Sequence, residues 1–482
     1  MMIDYLTTIG LEFHAELKTK TKIFCSCPTK FSDQPNTQVC PICLGLPGVL
    51  PVLNKQAVEL AIKAGLALNC HISPVSKFDR KNYFYPDLPK GYQVTQFALP
   101  ICSNGFIMIA DAHGEGKKIR INRIHLEEDA GKLIHGGDSM EDSSYSLPDY
   151  NRAAIPLIEI VSEPDMTSAD EAREFGEKLK LILEYADVSD VKMEQGSLRC
   201  DVNISIRPVG QQELGVKVEI KNLNSFRSVY RAILFEEQRQ KTMLNKQETI
   251  IQETRLWDEI AGETRPMRSK ENAHDYRYFP EPDLTPIVLR QEWIAQLATT
   301  LPELPNSRIA RLQEKLGLSD YDSKQIVATP ALAYFFDQAE ALFDDPKIIA
   351  NWLLGDVSRL LNSTAQEYET IPLSVTDFAY LLQELKKGTL NNNSAKTVLE
   401  EMFLEGKSPA ECIANHDFAQ ISDSALLTNT ISAIIAANPQ PVADYQAGKK
   451  QAFGFLIGKV MKETKGQANP NMVKELLEKA LQ

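Results

Sequence analysis

Runs in which apolar and polar residues alternate with a period of two mark the first ~290 residues as β-rich with interspersed helices, and a helical period takes over beyond them. The run Leu198-Arg199-Cys200-Asp201-Val202-Asn203-Ile204-Ser205-Ile206 alternates strictly, which predicts a strand with one wet face. Pro208-Val209-Gly210-Gln211 is a turn signal. Val216, Val218 and Ile220 then alternate with Lys217, Glu219 and Lys221, so the two runs are expected to form a hairpin. Helices interrupt this pattern. Ser168-Ala169-Asp170-Glu171 is a capping box ahead of Ala172, Phe175, Leu179 and Leu183, and Ser225 is placed to cap a second helix through Val229, Ala232 and Ile233. After Pro280-Glu281-Pro282-Asp283-Leu284-Thr285-Pro286 the segments 306–317, 323–343, 347–363, 374–387 and 394–404 are predicted helices, and a break near Gly406-Lys407-Ser408-Pro409 precedes a small helical module. The expected fold class is α+β. A β-rich domain with interspersed helices spans 1–292, an all-α domain 293–405 and a small all-α tail domain 406–482.

Four strand-like stretches carry glutamate where a core strand would be apolar or simply wet: Leu11-Glu12-Phe13-His14, His125-Leu126-Glu127-Glu128, Leu157-Ile158-Glu159-Ile160-Val161 and Val218-Glu219-Ile220. A half-buried carboxylate is costly unless something pairs with it. Glu12 and His14, two apart on a strand, share a face. If the four strands belong to one sheet, their glutamates and His14 could converge, and oxygen ligands plus an imidazole suit magnesium or manganese. Each glutamate read alone is as well explained by a solvated strand face or a local salt bridge. Lys217 and Lys221 flank Glu219 and could hold it as an ion pair, or hold phosphate.

Cys25-x-Cys27 and Cys40-x-x-Cys43, separated by twelve residues, have the spacing of a tetrahedral zinc site. Four thiolates leave no open position, so such a zinc would be structural. Cys70, Cys102, Cys200 and Cys412 stand alone and read as small buried residues.

The composition, 43% hydrophobic and 24% charged, supports packed cores and argues against disorder. No apolar run is long enough for a bilayer and the N-terminus shows no signal peptide, so the chain reads as cytoplasmic, with no membrane partner. A net charge of −13 does not advertise nucleic-acid binding, but phosphate contacts need only a local basic patch. Two such patches mix cations with aromatics: Lys81, Tyr83, Tyr85, Lys90 and Tyr92, and later Arg265, Arg268, Lys270, Tyr276 and Arg277. The tail from Lys449 through Lys450, Lys459, Lys462, Lys465, Lys474 and Lys479 is locally positive, which fits a nucleic-acid contact or a solvated helix face. P-loop and Rossmann glycine patterns are absent.

The motifs Ile9-Gly10-Leu11-Glu12-Phe13-His14, Cys40-Pro41-Ile42-Cys43-Leu44-Gly45-Leu46-Pro47-Gly48, Lys81-Asn82-Tyr83-Phe84-Tyr85-Pro86-Asp87-Leu88-Pro89-Lys90-Gly91-Tyr92, His125-Leu126-Glu127-Glu128-Asp129, Pro156-Leu157-Ile158-Glu159-Ile160-Val161, Glu219-Ile220-Lys221-Asn222-Leu223-Asn224-Ser225-Phe226 and Asp275-Tyr276-Arg277-Tyr278-Phe279-Pro280 resemble the B subunits of tRNA-dependent amidotransferases. The resemblance implies a cradle-like first domain. It also implies an ATP-dependent ligase that phosphorylates the side-chain carboxylate of Glu-tRNA(Gln) or Asp-tRNA(Asn) and amidates it with ammonia. The ammonia would come from the A-type glutaminase subunit, and the small C-type subunit would complete a heterotrimer. Carried over motif by motif, the resemblance implies a magnesium site at Glu12, His14, Glu127, Glu128, Glu159 and Glu219, with catalytic roles for Glu12, His14, Glu128, Glu159 and Glu219. ATP and its phosphates would be met by Lys81, Lys90, Lys217 and Lys221, and zinc by Cys25, Cys27, Cys40 and Cys43. A non-catalytic, zinc-containing tRNA-binding adaptor is the alternative from a different functional class.

Overall fold

In a computed structural model of the chain, the strand Tyr5–Glu16 lies at the middle of a nine-stranded sheet. The structure describes residues 4–110, 114–136, 145–267, 276–416, 424–446, 449–464, 468 and 470–481. Two compact units result, Met1–Pro305 and Asn306–Gln482.

Across the sheet of the first unit the strands run Glu263–Pro266, Glu253–Asp258, Val218–Leu223, Leu198–Pro208, Tyr5–Glu16, Pro156–Ser162, Gly116–Glu128, Cys102–Ala110 and His71–Ile72. Every pairing is antiparallel except that of Val218–Leu223 with Glu253–Asp258. That parallel pair is joined through the helix Phe226–Asn245, because parallel neighbours need a long crossover. The expected hairpin forms: Ile204 faces Val218 and Asn203 faces Glu219.

The sheet has one covered and one open face, and the alternation decides which residue goes where. Ile9, Leu11, Phe13 and Ala15 are buried on the covered face, where Phe13 meets Phe175 of the helix Ala169–Tyr185 at a ring distance of 6.3 Å. Gly176 lets the helix Phe226–Asn245 pack against this one: a Cβ there would stand 2.5 Å from the Phe226 ring. Ser168 and Ser225 cap their helices, accepting from the Glu171 and Ser228 amides, but the capping box expected at Ser168 is only half made, because Glu171 Oε2 accepts from the Thr167 amide instead. The helix Lys55–Ala67 also serves this core, capped by Asn54 and touching Cys102 through the Ala61 carbonyl. The helix Gln291–Thr299 belongs to the same core, through Ile294 and Leu297.

The second unit is all helix among its described residues, which bears out the α+β class. The segment expected as one helix at 323–343 is two, Asp320–Val327 and Pro330–Leu342. Pro330 has no amide hydrogen to continue the first helix and fits the opening turn of the second, which Thr329 caps. Ser408 makes the capping box of Pro409–Asn415. Farther on, Leu427, Ile431, Leu456, Val460, Val473 and Leu477 of three helices share one core. Among the described residues no helix is long and apolar enough to cross a membrane.

Candidate active site

The open face of the sheet gathers the polar row. Register sets His14 opposite Glu159, and Glu159 opposite His125, while Glu127 stands two residues beyond His125 on the same strand. The two imidazoles and two carboxylates make a closed square. His14 Nε2 lies 3.6 Å from Glu127 Oε1 and 3.4 Å from Glu159 Oε2, and His125 Nε2 lies 3.5 Å from Glu127 Oε2 and 3.2 Å from Glu159 Oε2. Thr95 Oγ1 donates to Glu127 Oε2 at 3.1 Å and fixes its rotamer.

Burial opposes charge on every member of the square, and the mutual pairing outweighs it. The His125 imidazole is raised to about 9 by Glu159 and Glu127 against that burial, and His14 is raised by the same two carboxylates. In turn the imidazoles hold Glu127 below, and Glu159 well below, the usual carboxylate range despite burial. Ligand atoms of His14, Glu127 and Glu159 come within 4.8 Å of one another. Two carboxylates and an imidazole fit a hard divalent cation, whose charge would replace that of the two imidazolium protons.

The other expected residues divide. Glu12 is on the same face, accepting from Asn203 Nδ2 at 2.8 Å, and burial together with the nearby charge of Glu159 raises its carboxyl. Glu219 lies farther along the face, where Thr254 Oγ1 donates to it at 2.7 Å and Lys221 Nζ stands 3.1 Å away. Lys221 is shared with Asp201, also at 3.1 Å, so it organises carboxylates. Lys217 is exposed beside it. Glu128 is not brought to the square. Being one residue from Glu127, it projects to the covered face, where Lys90 Nζ binds both its oxygens at 2.5 and 2.6 Å and the Val94 amide donates at 2.8 Å. Lys90 is thereby engaged too, and Lys81 lies 4.9 Å from the Tyr276 ring centre. Arg268, Lys270, Asp275 and Lys465 lie outside the described residues, as does the side chain of Lys450; Lys449 pairs with Asp444 at 3.0 Å.

His125 is the functional-face residue that sequence reasoning missed. Its signal was the same i, i+2 relation to Glu127 that joins Glu12 and His14.

The cysteine quartet converges as its spacing predicts, with all four sulfurs within 4.8 Å of one another. The Cys40 amide donates to Cys43 Sγ at 3.1 Å, and the fully buried Lys22 places Nζ 3.8 Å from the same sulfur. A hydrogen bond from Cys25, aided by Lys22 and opposed by burial, pulls the Cys43 thiol down to about 5. Four thiols, one already favoured as thiolate beside a buried cation, fit a tetrahedral zinc. A cavity of about 200 Å³ is lined by Cys25 and Cys43 of this knuckle, by the Lys90–Glu128 pair and by Glu281. Glu281 is bound by Arg80 at 2.7 and 2.8 Å.

This sheet and its polar face coincide with a known catalytic module. Residues 7–295 match the family model described as the GatB/GatE catalytic domain, and residues 334–481 match the one described as the GatB domain. The chain is 53% identical over 479 residues to the B subunit of the aspartyl/glutamyl-tRNA(Asn/Gln) amidotransferase of Thermoanaerobacter pseudethanolicus, covering 99% of this chain and 100% of that protein. The corresponding B subunits of Carboxydothermus hydrogenoformans and Moorella thermoacetica are 52% and 50% identical, over 99% of this chain and 98% and 100% of their own lengths. The chain belongs to the family of amidotransferase B subunits. A non-catalytic adaptor is accordingly not favoured.

Proposed function

We propose that this chain is the ATP-using, tRNA-directed member of an amidotransferase that converts Glu-tRNA(Gln), Asp-tRNA(Asn) or both to the amide forms. The observation that carries the reading is the His14–Glu127–Glu159–His125 square on the open face of a domain matching the GatB/GatE catalytic model. The partners are the A-type glutaminase and the small C-type chain of a heterotrimer.

A carboxylate is a poor electrophile toward ammonia because its leaving group would be oxide. Transfer of the γ-phosphoryl group from ATP to a carboxylate oxygen forms an O–P bond, and the bond to the β-phosphate breaks with its electron pair on ADP. Ammonia then attacks the acyl carbon, the C–O bond breaks, and inorganic phosphate leaves with a proton released by the nitrogen. A divalent cation, magnesium for preference, supplies neutralisation of phosphate charge when bound. His14, Glu127 and Glu159 would hold it, Glu12 would complete the acidic wall, and His125 would orient Glu127 and Glu159. Lys217, exposed beside Glu219, and Lys81, against the Tyr276 ring, would supply cations to the phosphates, while Lys221 holds Glu219 and Asp201 in place. Zinc on the cysteine quartet is scaffold.

The test is His14→Ala in the complex co-purified with the glutaminase and the small third chain. Amidation of Glu-tRNA(Gln) and of Asp-tRNA(Asn) is followed with ammonium chloride as nitrogen donor, which bypasses glutamine hydrolysis. Turnover is expected to collapse, and unchanged turnover would remove the proposed metal site.

A further inference from the structure

Among the described residues of the open face, Arg123 carries a buried guanidinium nitrogen that meets no acceptor. Arg123 precedes His125 by two residues and Glu127 by four on the strand Gly116–Glu128, so its side chain leaves the sheet on their side. In register it faces Val161, whose neighbour on the opposite side is Glu12. It therefore stands one row along from the His14–Glu159–His125 row, a step of ~6.8 Å along a strand, which a guanidinium arm spans.

Nearby basic groups are engaged. Arg199 and Arg152 reach Asp129 at 3.0 and 3.4 Å, Lys221 is held by Asp201 and Glu219, and both imidazoles lie between Glu127 and Glu159. The nitrogen left open on Arg123 is Nε. Its guanidinium acts on the Tyr278 phenol, which also feels Glu159 and Glu127 and stacks on Phe97 with ring centres 4.1 Å apart. So the charge lies within electrostatic reach of an aromatic wall that borders the square. Buried donors are nearly always satisfied, and one left open beside a cluster of candidate metal ligands is a place for an arriving anion.

We infer that Arg123 binds oxygens of the phosphoryl group as it passes from ATP to the side-chain carboxylate. The inference rests on the amidotransferase reading and adds a residue to it. The phosphoryl group in transit spreads charge over three equatorial oxygens. A cation one row away can meet only some of them, and the guanidinium fork, approaching from the Val161 side, meets others. In this step the carboxylate oxygen gains the bond to phosphorus, ADP takes the electron pair of the broken bond, and Arg123 neither gives nor takes a proton.

The experiment compares the wild-type heterotrimer with Arg123→Ala and Arg123→Lys, using ammonium chloride as donor. ATP hydrolysis and amide formation are measured together. Arg123→Ala is expected to lower kcat for both about 100-fold or more, with the KM for aminoacyl-tRNA little changed. Millimolar guanidinium is expected to restore at least part of that kcat, and the melting temperature should hold or rise because an unsatisfied buried donor has gone. Arg123→Lys, which keeps the charge and loses the fork, is expected to fall between the two. The inference is overturned if Arg123→Ala keeps wild-type kcat. It is overturned equally if the loss lies in the KM for aminoacyl-tRNA, which would make Arg123 a tRNA or carboxylate reader. A loss accompanied by a lower melting temperature and no guanidinium rescue overturns it as well, since the role would then be structural. A wild-type complex that amidates neither tRNA counts against the amidotransferase reading itself, which separates the two failures.

Discussion

Neighbouring glutamates on one strand should fail in opposite ways when neutralised. Glu127 faces the open side and contacts both imidazoles, whereas Glu128 faces the covered side and is gripped by Lys90. At 2.6 Å and an effective dielectric of ~20, the attraction in the Lys90–Glu128 pair is ~6 kcal/mol. Desolvation of two groups exposed by only 12% and 3% offsets most of that, so the intact pair contributes little net stability. Removing one member alone exposes the full cost of the other: Lys90→Met should destabilise the chain by ~3–5 kcal/mol. The double variant Lys90→Met with Glu128→Gln should return to within ~1 kcal/mol of wild type, because no uncompensated buried charge is then left. Urea unfolding measures this cycle. Manganese titration followed by electron paramagnetic resonance measures the other side. Glu127→Gln should weaken binding by at least the ~10–100-fold that loss of a supporting residue costs, while the double variant should bind normally. The reasoning is refuted if the double variant loses manganese and Glu127→Gln keeps it, or if Lys90→Met costs under ~1 kcal/mol.

Other consequences are as direct. Cobalt substituted at the cysteine quartet should give the absorption of a tetrahedral tetrathiolate, and Cys43→Ser should abolish it and release about one metal per chain. Glu236 is fully buried and accepts from Arg239, Gln240 and Thr264 at 2.6 to 3.0 Å, so Glu236→Ala should cost ~3–5 kcal/mol in urea unfolding. Gly105→Ala would push a Cβ to 2.3 Å from Cys70 Sγ and 2.7 Å from the Leu68 carbonyl oxygen, an overpacking worth ~1–3 kcal/mol that a thermal melt would register.

What could be read from the chain beforehand was whatever is local. The two cysteine pairs meet because a short loop carries them, and the serine caps act within three residues. Strand alternation put Glu12 and His14 on one face without any knowledge of partners. The same rule, applied to Glu127 and Glu128, forbade both from serving one ion, yet adjacent carboxylates in a row of acidic residues hide their parity. His125 shares the i, i+2 signal with Glu127, but what the imidazole does there is fixed only by Glu159, which faces it across the sheet. That register depends on strands far apart in sequence, and no local pattern encodes which strand lies beside which. Arg123 was invisible for the opposite reason: a single arginine on a wet face looks ordinary until its neighbours prove to be taken.

The position of Tyr5–Glu16 also sets a timetable. Its neighbours on either side, Pro156–Ser162 and Leu198–Pro208, are made long after it, so this largely apolar strand leaves the ribosome with no edge to join. The 146 residues from Leu17 to Ser162 take roughly 7–30 s to translate at ~5–20 residues per second. For that interval Ile9, Leu11 and Phe13 form an exposed, aggregation-prone edge, and a nascent-chain holdase should favour them. The polar square cannot exist until Pro156–Ser162 brings Glu159 to His14 and His125, so a nascent chain stalled or truncated before that strand carries His14 and no metal site.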